Sequence, residues 1–272
     1  MRRALVFDSG VGGLSVLDSM LASPHQMVFD YLADNAWLPY GLKPDAALRE
    51  RVPALIERAV AQWAPDAVVL ACNTASTVAL AEVRARLGVP VIGVVPPIKP
   101  AAELTQTGTI GLLATPATVQ RPYTDDLIAR FAGDKRVIRF GSAALVQAAE
   151  RKLRGGAVDK QAIVEATDGL FGALGGGDID VVALACTHFP LLAAELAATA
   201  PRRVTWLESG AAIARRVVDV LRPPPGSAQM ARAAFTDAVG AVDVLGAFRA
   251  RGCGKFFAAP EARGFEIVEI SV

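Results

Sequence analysis

A chain of 272 residues with 28 Lys and Arg against 27 Asp and Glu carries a formal charge of +1, so no long-range field recruits nucleic acid or a membrane surface. Hydrophobic residues make up 53% of it, yet the apolar runs are broken by Pro, Gly or charge well short of the roughly 20 residues that span a bilayer. Ala4-Leu5-Val6-Phe7, after Arg2-Arg3, is too short for a signal-peptide core of about 7–15 residues. The expectation is a cytoplasmic protein with chain enough for two α/β domains. Its three cysteines form no even disulfide framework, and free thiols are expected.

Residues 4–7 read as a first buried strand, Asp8-Ser9-Gly10-Val11-Gly12-Gly13 as a tight loop, and residues 14–21 as a helix. A dinucleotide fingerprint would need glycine at Ser15, which excludes that reading. The loop instead offers backbone N–H groups at a helix N-terminus, suited to a carboxylate or ammonium-carboxylate ligand, with Asp8 and Ser9 adding side-chain contacts. The plainer alternative is that Asp8 or Ser9 caps the helix. Residues 28–32 form a second strand leading to Asp34-Asn35-Ala36-Trp37-Leu38-Pro39-Tyr40-Gly41, either a rim over a ligand or a packed Ω-loop. A helical stretch follows over 45–64, which Pro53 is expected to kink or to delay. The apolar run Val68-Val69-Leu70-Ala71 ends in Cys72, residues 76–87 read as a helix with Gly88 as its C-cap, and 91–95 as a strand. The Pro96-Pro97 and Pro100 cluster marks a domain boundary.

The second half opens with a strand over 109–114 and the loop Thr115-Pro116-Ala117-Thr118, then a helix over 123–131, a strand over 137–140, and helices near 143–152 and 159–174. After Gly175-Gly176-Gly177 comes the run Val181-Val182-Ala183-Leu184-Ala185, ending in Cys186, and Thr187-His188-Phe189-Pro190 begins a helix. A strand over 204–207 leads to Glu208-Ser209-Gly210, an echo of Asp8-Ser9-Gly10, and a helix over 211–221. A strand over 233–236, a helix over 242–251 and a strand over 266–270 are too few to make a domain and are expected to dock back on the first. The expected fold is therefore α/β, two similar open parallel-sheet domains related by pseudo-symmetry, 1–96 plus 211–272 and 97–210, with an active site in the cleft between them.

The two cysteines organise the chemistry. Each ends a run suited to a strand buried on both faces, each has an aspartate (Asp66, Asp180) at the same distance upstream, and each thus lies at a strand's carboxyl end, where open α/β sheets bind ligands. A thiol of ordinary pKa is mostly protonated at pH 7, but a helix N-terminus or a cationic neighbour activates it. One thiolate and one thiol facing each other across a cleft would take a proton from one side of a carbon and return one to the other, inverting it by general acid–base catalysis. Asn73, Thr74, Thr187, Thr115 and Thr118 would hydrogen-bond a carboxylate, and His188 or Asp8 would orient or deprotonate a thiol. Competing readings are a zinc site of Cys72, Cys186 and His188, whose spacing matches no usual ligand set; a redox pair without C-x-x-C; a Cys186–His188 nucleophile that leaves Cys72 idle; and buried cysteines that simply fill space. Cys253, between two glycines, is read as such a filler, and His25 as a surface-loop residue.

Phe7-Asp8-Ser9-Gly10-Val11-Gly12-Gly13-Leu14, Ala33-Asp34-Asn35, Pro39-Tyr40-Gly41, Ala71-Cys72-Asn73-Thr74-Ala75-Ser76, Gly111-Leu112-Leu113-Ala114-Thr115-Pro116-Ala117-Thr118 and Cys186-Thr187-His188-Phe189-Pro190-Leu191-Leu192 resemble the aspartate/glutamate racemase family. The loops at 34–41 and 186–192 resemble its glutamate branch. The resemblance implies interconversion of L- and D-glutamate for peptidoglycan synthesis, no pyridoxal phosphate or metal, a homodimer, and a cleft between two α/β domains. It implies that Cys72 acts on D-glutamate and Cys186 on L-glutamate, with Asp8, His188 and Glu150 assisting the thiols. Asp8, Ser9, Tyr40, Gly41, Asn73, Thr74, Thr187 and His188 match its substrate-binding positions. Two departures stand out: Arg121-Pro122-Tyr123, where the family more often has a small residue, and Glu208 where Asp is common. Sister enzymes act on aspartate or hydantoins with the same cysteine pair, and a non-catalytic gyrase-binding regulator is the alternative from another class. Such a regulator would have lost a cysteine or the polar binding residues, all of which are present.

Overall fold

Continuous apolar runs make the centre of each of two sheets. The computed structural model describes residues 1–270; Ser271 and Val272, the end of the segment expected to dock back, lie outside the described residues. The strands are β1 (Arg2–Asp8), β2 (Met27–Ala33), β3 (Ala67–Leu70), β4 (Val91–Gly93), β5 (Thr109–Ala114), β6 (Arg136–Gly141), β7 (Val181–Ala185), β8 (Thr205–Leu207), β9 (Ala228–Phe235), β10 (Lys255–Ala258) and β11 (Val268–Ile270). They form a seven-stranded sheet in the order β11-β10-β9-β2-β1-β3-β4 and a four-stranded sheet in the order β6-β5-β7-β8. Every pairing is parallel except β10 with β11.

Parallel strands need crossover helices, which cover both faces, so the central strands are largely apolar; β2 also buries Asp30, paired with Arg3 and Arg232. All residues of β2, β3, β5 and β7 are buried. Two apolar clusters lie on the faces of the first sheet and two on those of the second. The upstream aspartates anchor the strand starts: Asp66 accepts the Arg3 N–H at 2.8 Å, and Asp180 accepts the Gln106 and Thr107 N–H groups at 2.6 and 3.0 Å. The C-terminal strands join the first sheet through β9, which pairs with β2. The chain crosses between sheets at two neighbouring places, where the Ser209 hydroxyl donates to the Val95 carbonyl at 3.1 Å. Among the described residues no helix is long and apolar enough to cross a membrane.

Several elements differ from their expected bounds. The helix Asp45–Trp63 neither stops nor starts late at Pro53. The missing N–H leaves only the carbonyl of exposed Arg49 without its helical partner, where water can take it, while the Pro53 ring is buried in the core. The proline-rich stretch contains a helix, Ile98–Leu104, with Pro100 in its first turn, where N–H groups need no intrahelical acceptor. Thr115 to Thr118 is not a loop: Thr115 caps the short helix Pro116–Gln120. Gly88 is not a left-handed C-cap; the helix before it ends at Arg86 with Leu87 extended. His25 is half-buried, its Nδ1 2.9 Å from the Ser23 hydroxyl.

Candidate active site

The turns leaving β3 and β7 carry the two thiols. The helix after β3 is Asn73–Arg86, three residues longer at its start than the expected 76–87, which makes Cys72 its N-cap. The Ala75 N–H donates to Cys72 Sγ at 3.4 Å, and the Cys72 thiol reaches Ser9 Oγ at 3.6 Å. Cys186 precedes no α-helix directly. A 3-10 turn, Phe189–Leu192, follows it, because Pro190 and the Phe189 N–H to Cys186 carbonyl bond of 3.1 Å tighten the chain there. A helix N-terminus thus lies at Cys72, whereas Cys186 has a side-chain partner, His188 Nδ1, 3.9 Å from its sulfur.

Ser9, Tyr40, Gly41, Cys72, Asn73, Thr74, Thr115, Cys186, Thr187 and His188 line one cavity of about 20 Å³, far below the roughly 300–1,000 Å³ of open ligand sites. Leu38, Pro39, Val146 and Ala185 complete its walls. Asp8, Thr118 and Glu150 stand behind this lining. Asp8 accepts the Gly10 N–H at 2.9 Å and the Thr187 hydroxyl at 3.0 Å. Thr118 lies 2.9 Å from Thr115, hydroxyl to hydroxyl. Glu150 Oε1 lies 2.8 Å from His188 Nε2 and accepts the Val11 N–H at 3.1 Å. The loop 8–13 was expected to hold a ligand carboxylate on its backbone; its Gly10 and Val11 amides are occupied by protein carboxylates instead. Tyr40 lines the cavity, but its hydroxyl donates to Asp34 Oδ2 at 2.5 Å. Asn73 Nδ2 is buried and has no hydrogen-bond partner in the protein, so it is a donor open to an acceptor in the cavity.

Burial and charge set the protonation states. Burial pushes the Cys72 thiol up to about 12, with the Asp8 charge adding to it and the Ala75 and Ser9 contacts opposing it. Burial likewise raises Asp8, against the pull of His188 and the Gly10 and Thr187 hydrogen bonds. For His188 burial works against the charge, but its bonds to Cys186 and Glu150 outweigh it and hold the imidazole well above its ordinary value. For Glu150 burial also opposes charge, and the His188 bond with the Val11 N–H holds the carboxyl low. At neutral pH the pair is an imidazolium and a carboxylate, presenting positive charge to Cys186 Sγ. Cys253 is a buried thiol outside the cavity, raised by burial to about 11. All three cysteines are free, and no group of three or more His, Cys, Asp or Glu suited to a metal occurs among the described residues.

Sequence reasoning passed over Ser15, whose hydroxyl donates to the Thr187 carbonyl at 2.7 Å and ties the first helix to the second sheet's turn. No local pattern marks such a contact. Leu38 and Val146 are also unmarked, since an apolar wall and an apolar core position look alike in sequence. The echo at Glu208 holds structurally: its carboxylate accepts the Gly210 N–H as Asp8 accepts that of Gly10, so the longer side chain is accommodated.

The family model described as Asp/Glu/Hydantoin racemase matches residues 15–217. A glutamate racemase from Sphingopyxis alaskensis is 54% identical over 213 residues, 78% of this chain and 80% of the relative; one from Shewanella baltica is 47% identical over 220 residues, 81% and 79%. Among solved structures, Escherichia coli glutamate racemase in complex with L-glutamate and the activator UDP-MurNAc-Ala aligns with a TM-score of 0.86 at 39% identity, over 99% of both chains. The Thermus thermophilus glutamate racemase, in complex with β-chloro-D-alanine, aligns with a TM-score of 0.75 at 29% identity, over 95% and 97%. The two sheets follow the two-domain α/β fold of these enzymes, and the chain belongs to the Asp/Glu/hydantoin racemase family of isomerases.

Proposed function

We propose that this protein interconverts L- and D-glutamate by two-base proton transfer between Cys186 and Cys72, without a cofactor. One observation carries the reading: two thiols from the carboxyl ends of two different sheets open on the same small cavity. Asn73 Nδ2, which has no partner in the protein, together with Thr74 and Ser9 in the cavity wall, would bind substrate carboxylate. In the L-to-D direction the Cys186 thiolate, beside the His188 imidazolium, removes the α-proton, and the Cys72 thiol donates its proton to the opposite face. The α-carbon inverts, leaving Cys186 as thiol and Cys72 as thiolate; the reverse direction starts from that state. A raised Cys72 thiol and a charged His188 suit the first of these two states. A glutamate side chain is supported by the relatives and by the loops at 34–41 and 186–192. The reading includes a chain divided at 96/97 and 210/211, a homodimer, and a role supplying D-glutamate for peptidoglycan.

The test is proton NMR of the protein with L-glutamate in heavy water, without added pyridoxal phosphate, with aspartate as control. Loss of the α-proton signal with decay of optical activity for glutamate is the expected result; exchange of aspartate alone, or of neither by folded protein with reduced thiols, overturns it. Cys72→Ser should reduce exchange from D-glutamate, and Cys186→Ser exchange from L-glutamate, by roughly 10²–10⁴-fold, the span general acid–base catalysis supplies. Equal losses in both directions would count against two one-sided bases, although coupled thiol titration narrows the contrast.

A further inference from the structure

The thiols are only 5% and 7% exposed, so a substrate enters by separating the two sheets' layers, and something must hold those layers together once it is in. One side of the cavity is fastened by Ser15, Asp8 and Val11 to Thr187 and Glu150. The side at the rim is fastened by Arg121. Arg121 sits in extended conformation between the helices Pro116–Gln120 and Pro122–Phe131. Its Nη2 donates to Asp45 Oδ1 at 2.8 Å, and Asp45 opens the helix Asp45–Trp63 that covers the first sheet. The ion pair therefore joins the layers of one sheet to those of the other. It lies beside the rim: the turn Tyr40–Leu42 packs on the helix Pro116–Gln120, and a Cβ on Gly41 would meet Thr115 Cβ at 3.0 Å. The neighbouring Tyr123 feels the charge of Arg84, on the helix after β3.

We propose that Arg121 and Asp45 form a latch that holds the cleft closed over bound substrate and sets how often it opens. The proposal rests on the racemase reading for its kinetic consequence and not for its mechanical one. The Arg121 side chain is 9% exposed while that of Asp45 is half exposed. Such a pair is stronger than one fully in water, where screening leaves little, and it still has a solvent path along which it can break. Asp45 and Arg121 are positioning residues; neither lines the cavity.

The opening rate is read by peptide-resolved alkylation with iodoacetamide. Cys72 and Cys186 become reactive only when the cleft parts, whereas Cys253, buried in the first sheet's core, reports general loosening. Asp45→Asn, isosteric and at a half-exposed site, should speed alkylation at Cys72 and Cys186 by about three- to tenfold, the range for one partly buried ion pair, and leave Cys253 unchanged. KM and kcat for glutamate exchange should each change by less than about twofold, because the closed state still dominates when a rarely populated open state becomes several times more common. Arg121→Lys should retain most of the effect of the native pair, and the charge-swapped D45R/R121D should return alkylation at Cys72 and Cys186 toward native values. Unchanged alkylation in Asp45→Asn, or equal acceleration at all three thiols, overturns the latch. If the alkylation pattern is as expected but the native protein exchanges no glutamate, the latch stands and the substrate assignment falls.

Discussion

His188 keeps a charge that burial opposes through its contacts with Cys186 and Glu150, and Glu150 is the carboxylate of the two. The His188 Nε2 is 2.8 Å from Glu150 Oε1, and both side chains are buried. Removing one partner of a buried pair leaves the other uncompensated, at a cost of about 3–5 kcal/mol. The pH window follows from the directions of the two shifts. His188 is raised above 6.5, so its contribution is complete below that pH and is lost as pH rises through the folded value. Glu150 is lowered from 4.5, so its contribution is complete above that pH and is lost as pH falls through its folded value. Glu150→Gln should therefore lower the melting temperature most between about pH 5 and 6, with the gap narrowing in alkali. The imidazole of the variant should titrate at lower pH than in the native protein. An unshifted titration by NMR would remove Glu150 as the source of the charge. At this scale Cys72, Cys186 and His188 are legible because each sits in a distinctive run. Glu150 has no local signature, since its partner Val11 is 139 residues away, and it was reachable only through family resemblance.

The loop between β1 and the helix Leu14–Leu21 is held against the second sheet's turn so closely that a side chain has no room. A Cβ on Gly12 would overlap the His188 ring. Gly12 is not among the glycines with positive φ, so its absence of a side chain serves space, not backbone freedom. Gly12→Ala should cost about 1–3 kcal/mol, as overpacking does, and should lower exchange by roughly 10²-fold by displacing the imidazole. Recovery of thermal stability in G12A/H188A, with exchange still lost, would locate the collision at the ring; no recovery would place the strain elsewhere. Elements of this kind were largely readable. Continuous apolar runs gave β1, β2, β5 and β7 to within a residue or two, because strands buried on both faces admit little else. The misses have local causes. Pro96, Pro97 and Pro100 hid the helix Ile98–Leu104, whose first turn tolerates proline. Lys255–Ala258 passed unnoticed because four residues between Gly254 and Ala259 carry too little period to read. Cys72 as an N-cap was obscured because Asn73 and Thr74 look like loop residues, although they begin the helix.

Across the whole molecule, the sequence made two sheets and their shared cleft legible, through twin runs ending in cysteine. It held no signal for the closure of that cleft, which depends on contacts such as Ser15 with Thr187 and Arg121 with Asp45 between segments far apart in the chain. The pairing of β9 with β2 has a further consequence, for a protein leaving the ribosome. The four strands of the second sheet lie in one uninterrupted stretch between Thr109 and Leu207, so that half can assemble as it emerges. The first sheet cannot: β2 is made early, but its outer neighbour β9 begins at Ala228. Through most of synthesis the fully apolar face and unpaired edge of β2 have no covering strand, a state prone to pairing with other chains. A protein cut before Ala228 should accumulate as aggregates or remain bound to chaperones, while the same chain with the missing segment supplied in trans should recover soluble material. Soluble, folded truncated protein would mean that β1 and β3 alone suffice to hold β2, and that the last strands are an ornament to a sheet already complete.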